Sequence, residues 1–428
     1  MSEKVVKVGF LGLGNIGGGV FSTLIMNGEG IAHREGLRFQ VKRALVRNPD
    51  KPRPVGVRRE ILTTNLDDIL NDPEITIVAE FLGGVEPAFS HLSKVLLAGK
   101  TVVTANKEVI AHRWPELEKA ARQGGAGLYY EASVGGGIPV IKTINESLQA
   151  NELSVIKGII NGTTNHMLSR MSEAGIGYAA ALQEAQRQGL AEPDPTNDVG
   201  GHDAACKLAI LASLAFHAKV PVNSVFRQGI TALTPGDIAL GRELGYEIKL
   251  LAIGKKLGHT IEARVHPTFI PKEHPLSSVS GSYNAIFLEG NAVGNLMLYG
   301  RGAGDLPTAS AIISDLVTAA KACEHRYNTF DNTAERNDQV EIATDWDTRY
   351  FLHLDVLDKP GVLAEIAGVL ARHNVSIASC VQKGWQMNAV PLYIITHRTR
   401  EKAMTEAMEE MRRLPSIQTI AALIRVED

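Results

Sequence analysis

Three cysteines in 428 residues, Cys206, Cys323 and Cys380, are too few and too widely spaced for a disulfide framework. No Cys-x-x-Cys or His-x-x-x-His pair offers the spacing of a zinc site. No apolar run approaches the length of a membrane span, and the N-terminal MSEKVVKVGF lacks the apolar stretch of a signal peptide. Charge of one sign is missing too. Lys and Arg number 44 against 47 Asp and Glu, a net charge of −3, so neither nucleic acid nor an anionic membrane has an electrostatic claim. Internal repeats and low-complexity tracts are absent. What remains is a soluble chain expected in a reducing cytoplasm.

Apolar residues make up 44% of the chain, enough for a sizeable core, and the length suggests two or three domains. Short apolar runs at residues 5–11, 39–46, 75–81, 101–104 and 127–131 alternate with helix-length stretches, the pattern of a parallel sheet covered on both faces. After about residue 140 the rhythm changes to longer strands at 153–160 and 260–270 with helices at 163–173, 177–188 and 202–218, as in a mixed α+β domain. One more helix is expected over 306–323. Residues 326–347 are polar and irregular and read as a linker. A compact unit of roughly 80 residues follows from 348 to 428.

The first apolar run stops at GLGNIG, which supplies Gly12, Gly14 and Gly17 in G-x-G-x-x-G spacing, with Asn15 and Ile16 between the last two. The first glycine permits a tight turn, the second lets a pyrophosphate approach the backbone, and the third lets helix pack on strand. Preceded by a strand and opening a helix, the turn points to a dinucleotide. The acidic residue expected at the end of the second strand is missing, and Arg47 and Lys51 stand there instead. They favour a 2′-phosphate and hence NADP, while nearby Asp50 keeps NAD open.

A second stretch, GLAEPDPTNDVGGHDAACK over 189–207, is too charged for a plain connection. Asp203 and Lys207 are four apart, so a helix continuing into LAILASLAF would set them on one face. Pro193, Pro195 and paired glycines argue that Glu192, Asp194 and Asp198 come from a loop before that helix. An exposed ion pair beside a solvated loop is the plain interpretation. The sharper one has carboxylates gripping an ammonium group while lysine serves a carbonyl.

The pattern from Ala185 to Lys207 resembles the signature of homoserine dehydrogenases. The resemblance extends over about residues 5–325, through TANKE (104–108) and EASVGGGIPVI (131–141). It implies a Rossmann domain over 1–135 with 305–325 returning to it, and an α+β catalytic and dimerisation domain over 136–304. It also implies NAD(P)-dependent interconversion of L-aspartate 4-semialdehyde and L-homoserine, on the route to threonine, methionine and isoleucine. By the same resemblance Lys207 is the proton donor and Lys107 a second active-site lysine. Glu192, Asp198 and Asp203 bind substrate, and Thr104, Gly189 and Gly304 lie by the cofactor. Glu131, with the carbonyls of Val134, Gly136 and Ile138, forms a monovalent-cation site, expected to take Na+, and oxygen donors of this kind suit a hard cation. The chemistry agrees. Hydride reaching an aldehyde carbon leaves charge on oxygen, which a positioned ammonium stabilises and protonates, and the reverse oxidation needs the neutral amine.

Other candidates are weaker. Cys206 adjoins Lys207, but no Cys–His arrangement accompanies it, and a small packed cysteine is commoner. His202, next to Asp203, is a candidate proton relay but is more commonly a loop or helix-start residue, and His166 in NGTTNHM can line the substrate cavity or make structural hydrogen bonds. The segment LHLDVLDKPGVLAEIAGVLARHNVSIASCVQKG resembles an ACT domain, a βαββαβ module that binds amino acids and pairs with its own copies. That resemblance marks Gly361, Val362 and Asn374 as effector contacts, suggests threonine feedback and implies a homodimer or homotetramer. An amino-acid sensor with a Rossmann scaffold, and a dehydrogenase acting on another semialdehyde, are the rival readings.

Overall fold

The structure is a computed structural model and describes residues 3–54, 56–328, 330, 340–382 and 389–427. Packing divides the chain into two units, residues 1–156 with 206–225 and 283–340, and residues 157–205 with 226–282 and 341–428.

The first unit is built on a six-stranded sheet. Its order is Leu62–Thr63, Leu37–Leu45, Lys4–Leu11, Ile75–Glu80, Thr101–Thr104 and Leu128–Tyr129, with every pair parallel. Val6, Val8 and Phe10 of the central strand are buried in the cluster beneath the helices. The order 3-2-1-4-5-6 reverses beside Lys4–Leu11, and in a doubly wound sheet the crevice at that switch point is where a dinucleotide lies. Helix Asn15–Glu35 starts directly from the glycine turn and ends at Gly36, whose left-handed φ of 68° closes it. The late helix Asp305–Lys321 adds Ala309, Ile312 and Leu316 to the same core as Val20. An antiparallel hairpin, Tyr283–Gly290 with Gly294–Arg301, also belongs to this unit.

In the second unit, strands Tyr246–Leu257 and Thr260–Pro271 pair along their full twelve-residue length. Strand Ile417–Val426 adds in parallel, matching Thr268 to Arg425 and Phe269 to Val426. Three further antiparallel strands follow in space, Asp347–Val356, Val390–Thr396 and Ile377–Gln382. Helices Val362–Arg372 and Glu401–Met411 bring Ile366, Leu370, Met404 and Met408 onto the core those strands share. The chain order is βαββαβ, as expected for the C-terminal module.

The expected linker differs from a free tether. Glu341–Ile342 pairs in parallel with Thr260–Ile261, and Trp346 is 2% exposed against Phe226 and Arg264. An indole is too apolar to leave in water, so it draws the backbone down with it. At the other end Tyr327 donates to the Ala126 carbonyl at 3.0 Å. Residues 331–339 of the expected linker lie outside the described residues. Among the described residues, no helix is long and apolar enough to cross a membrane.

Candidate active site

Each glycine of the first turn has a distinct physical reason. Gly12 has φ +99°, a conformation side-chain-bearing residues rarely adopt. A Cβ on Gly14 would meet nothing within 4 Å, whereas one on Gly17 would lie 2.9 Å from the Gly12 carbonyl oxygen and the Phe81 ring. The second position therefore faces open space and the third is filled by packing. Beside the turn lies a cleft of about 600 Å³ whose lining includes Gly12, Gly14, Arg47, Lys51, Arg53 and Phe81. Helix N-terminal amides and a basic rim fit the phosphates of a dinucleotide.

Arg47 and Lys51 thus both reach the cleft. Asp50 is not part of the lining, and its carboxylate pairs with Arg59 at 3.1 Å. Arg53 is the residue that sequence reasoning missed. Its guanidinium donates to the Leu13 carbonyl, inside the glycine turn, and to the Asn48 carbonyl at 2.8 Å, tying the turn to the segment after the second strand. The available signal was a third basic residue close behind Arg47 and Lys51.

Thr104 ends its strand fully buried, its hydroxyl donating to Glu80 at 2.5 Å. Asn106 caps the next helix by accepting from Val109 N–H at 3.1 Å, which makes Lys107 the first helical residue.

Asp203 and Lys207 do share one helix, His202–Ala215, one turn apart. Asp198 departs from expectation, because it sits in a one-turn helix, Thr196–Val199, rather than in a loop. The prolines do not prevent it. Pro195 precedes the first turn, where its missing N–H is not needed, and Asp194 ahead of it accepts Thr196 N–H at 3.1 Å. Asn161, also missed, holds the carboxylates together. Its side-chain amide donates to Asp198 at 2.7 Å and to Asp203 at 2.9 Å, while its oxygen accepts from Thr164 N–H at 2.9 Å. An N-cap asparagine after a strand was visible in NGTTN, but its partners were not.

Glu192 is exposed. Gly189 follows helix Tyr178–Arg187 with φ +71°, and Gly304, φ +118°, precedes helix Asp305–Lys321. His166 is 9% exposed, burial lowers its pKa, and its Nε2 has no partner among the described residues. His202 is exposed and contacts Arg227, and Cys206 is half-buried.

Glu131 is 2% exposed and accepts Ile141 N–H at 2.9 Å and Lys142 N–H at 2.7 Å. Burial, then the neighbouring Asp315 carboxylate, pushes its carboxyl up to about 7. Burial likewise raises Asp315 to about 6, against the opposing pull of Lys142 at 3.3 Å. Left-handed Gly135 and Gly136 turn the backbone carrying the candidate carbonyls, and the Ile138 carbonyl also accepts from Val140 N–H. Among the described residues no group of three or more His, Cys, Asp or Glu is placed to hold a metal, so a cation here would rest on carbonyls and one carboxylate.

In the C-terminal module Gly361 and Asn374, both with positive φ, stand at opposite ends of helix Val362–Arg372. At 1.5 Å per residue that separates them by about 20 Å, too far for one small effector to touch both within a single chain.

The chain matches the homoserine dehydrogenase family over residues 139–317, the homoserine dehydrogenase NAD binding domain over 12–131 and the ACT domain over 350–416. It is 42% identical to a homoserine dehydrogenase of Synechocystis over 98% of this chain and 99% of that protein. With the homoserine dehydrogenase of Corynebacterium glutamicum the identity is 40%, over 99% and 96%. The chain belongs to the homoserine dehydrogenases. A crystal structure of a homoserine dehydrogenase from Thiobacillus denitrificans aligns over 100% of this chain and 99% of that one, with TM-score 0.91 and 40% identity. A homoserine dehydrogenase of S. aureus gives TM-score 0.79 at 31% identity. The protein is accordingly a homoserine dehydrogenase with an NAD(P)-binding Rossmann domain and a C-terminal ACT domain, an oxidoreductase of amino-acid biosynthesis.

Proposed function

We propose that Lys207 moves the proton in this reaction, that Lys107 assists it, and that Glu192, Asp198 and Asp203 bind the substrate's ammonium end. The observation that carries this reading is the Asn161 bridge, which gathers two carboxylates at the foot of the helix bearing Lys207. The bound nicotinamide supplies or accepts the hydride. In the oxidative direction neutral Lys207 accepts the proton of the homoserine hydroxyl as the carbonyl forms. In reduction its ammonium stabilises the developing alkoxide and protonates it. The experiment is a pair of variants. Lys207→Ala is expected to lower kcat about 10²-fold or more with little change in the KM for homoserine, and Glu192→Gln to act chiefly on that KM. A Lys207→Ala enzyme with unchanged kcat would refute the assignment.

NADP is the preferred cofactor. Arg47 and Lys51 line the cleft and suit a 2′-phosphate, while Asp50, the residue that argued for NAD, is turned to Arg59. Asn15, Ile16, Thr104, Gly189 and Gly304 are assigned to the cofactor on the family resemblance alone. A monovalent cation, Na+ by its oxygen donors, is held by Glu131 with the carbonyls of Val134, Gly136 and Ile138, and it offsets the buried Glu131–Asp315 pair.

The functional division is a Rossmann domain over 1–135 with 305–325, a catalytic domain over 136–304 and an ACT domain over 348–428 that takes threonine as feedback inhibitor. Contact with Gly361, Val362 and Asn374 together would need two ACT copies side by side, in keeping with a homodimer or homotetramer. Exposed Val293, Met297 and Tyr299, on and beside strand Gly294–Arg301, also support self-association. The compartment is the cytoplasm.

A further inference from the structure

Glu80 ends strand Ile75–Glu80 with no exposure to solvent. A carboxyl so placed is costly unless its oxygens are satisfied, and here the donors are neutral groups rather than a base. One oxygen accepts Leu82 N–H at 2.6 Å and the Asn106 amide at 3.4 Å, and the other accepts the Thr104 hydroxyl at 2.5 Å. Thr104 in turn accepts Asn106 N–H at 3.0 Å, and the Asn106 amide also donates to the Gly84 carbonyl at 2.7 Å. One carboxyl therefore joins the segments that leave two adjacent parallel strands. The first, 81–84, contributes Phe81 and Leu82 to the nucleotide cleft and bends through left-handed Gly83 and Gly84. The second, 104–107, delivers Lys107 on the helix that Asn106 caps.

We propose that Glu80 is a positioning residue for the reaction: its carboxyl fixes Thr104 and Asn106 and so sets where Lys107 leaves the sheet. The proposal rests on the role given to Lys107 above. A side chain that acts only through Lys107 has nothing left to lose once Lys107 is gone, whereas one that merely supports the fold keeps its own separate effect.

The test is a double-mutant cycle on kcat for L-homoserine oxidation, using Glu80→Ala, Lys107→Ala and the pair. Lys107→Ala is expected to lower kcat about 10²-fold and Glu80→Ala about tenfold, with the double variant no worse than Lys107→Ala alone. Glu80→Gln, which keeps the Leu82 contact and can donate to Thr104, is expected to stay within about threefold of wild type. A double variant showing the product of the two single losses, or Glu80→Ala at wild-type kcat, overturns the proposal. Full activity in Lys107→Ala removes the role of Lys107, and the proposal with it. If Glu80→Ala does not fold, the same cycle run with Asn106→Ala decides, since that change removes the Glu80 and Gly84 contacts and the cap of the helix bearing Lys107 while leaving the Leu82 and Thr104 contacts of Glu80 in place.

Discussion

The side-chain amide of Asn161 donates to Asp198 at 2.7 Å and to Asp203 at 2.9 Å, so one neutral group holds two acids that would otherwise repel each other. Asn161→Ala is expected to raise the KM for homoserine about tenfold as the carboxylates separate, and to cost about 1 kcal/mol for the lost cap of helix Gly162–Ala174. Asn161→Asp would keep the cap but set a third carboxylate against the other two, with a larger KM effect than alanine. Steady-state kinetics beside thermal melts would separate the two losses.

The cofactor assignment gives a contrast between two arginines. Arg47→Glu is expected to shift the ratio of kcat/KM for NADP over NAD downward by about tenfold or more, because only NADP carries the 2′-phosphate. Arg53→Ala is expected to weaken both cofactors alike, since Arg53 braces the Leu13 carbonyl of the shared glycine turn. Titration of each variant with both nucleotides reads this out. Equal loss of NADP and NAD in Arg47→Glu would count against the 2′-phosphate role.

Glu131 and Asp315 lie buried with their carboxyls raised to about 7 and about 6. A monovalent cation that relieves this charge should stabilise the fold. The unfolding midpoint is expected to be higher in NaCl than in tetramethylammonium chloride of equal ionic strength, and the difference to vanish in Glu131→Gln. The same difference in Glu131→Gln would show that the ion acts elsewhere.

Near the C-terminus Glu427 is 4% exposed, with Arg264 at 3.0 Å, Lys157 at 3.6 Å and Lys255 in contact. Burial pushes its carboxyl upward, but the three cations outweigh that and hold it below the ordinary carboxylate range. A carboxyl depressed in the folded state stabilises fully above its unfolded value of about 4.3 and loses that contribution as pH falls through the folded value. Glu427→Gln is thus expected to lower stability at pH 7, by about 3 kcal/mol for a buried charge network that loses a partner. The gap to wild type should narrow below about pH 4. Thermal denaturation across pH 3–8 would check both the size and the slope.

The parts legible in the sequence were those with local grammar. Gly12, Gly14 and Gly17 announce their turn by spacing, and Asp203 and Lys207 announce a shared helix face by being four apart. The one-turn helix at Thr196–Val199 escaped because a proline-rich stretch reads as irregular, although proline is compatible with the residue before a helix. Arg53, Asn161 and Glu80 escaped for another reason. Arg53 meets Leu13 across 40 residues, and Asn161 meets its acids across 37 and 42. No periodicity encodes such partners, because they exist only once strands and helices have packed. The Trp346 anchor within the expected linker is of the same kind.

The most direct test of the central claim is chemical rescue of L-homoserine oxidation in purified Lys207→Ala, with NADP and increasing concentrations of small primary amines. If Lys207 moves the proton, activity is low without amine, rises with amine concentration, and rises further with more basic amines of similar size. Wild-type turnover in Lys207→Ala without any amine would contradict the account.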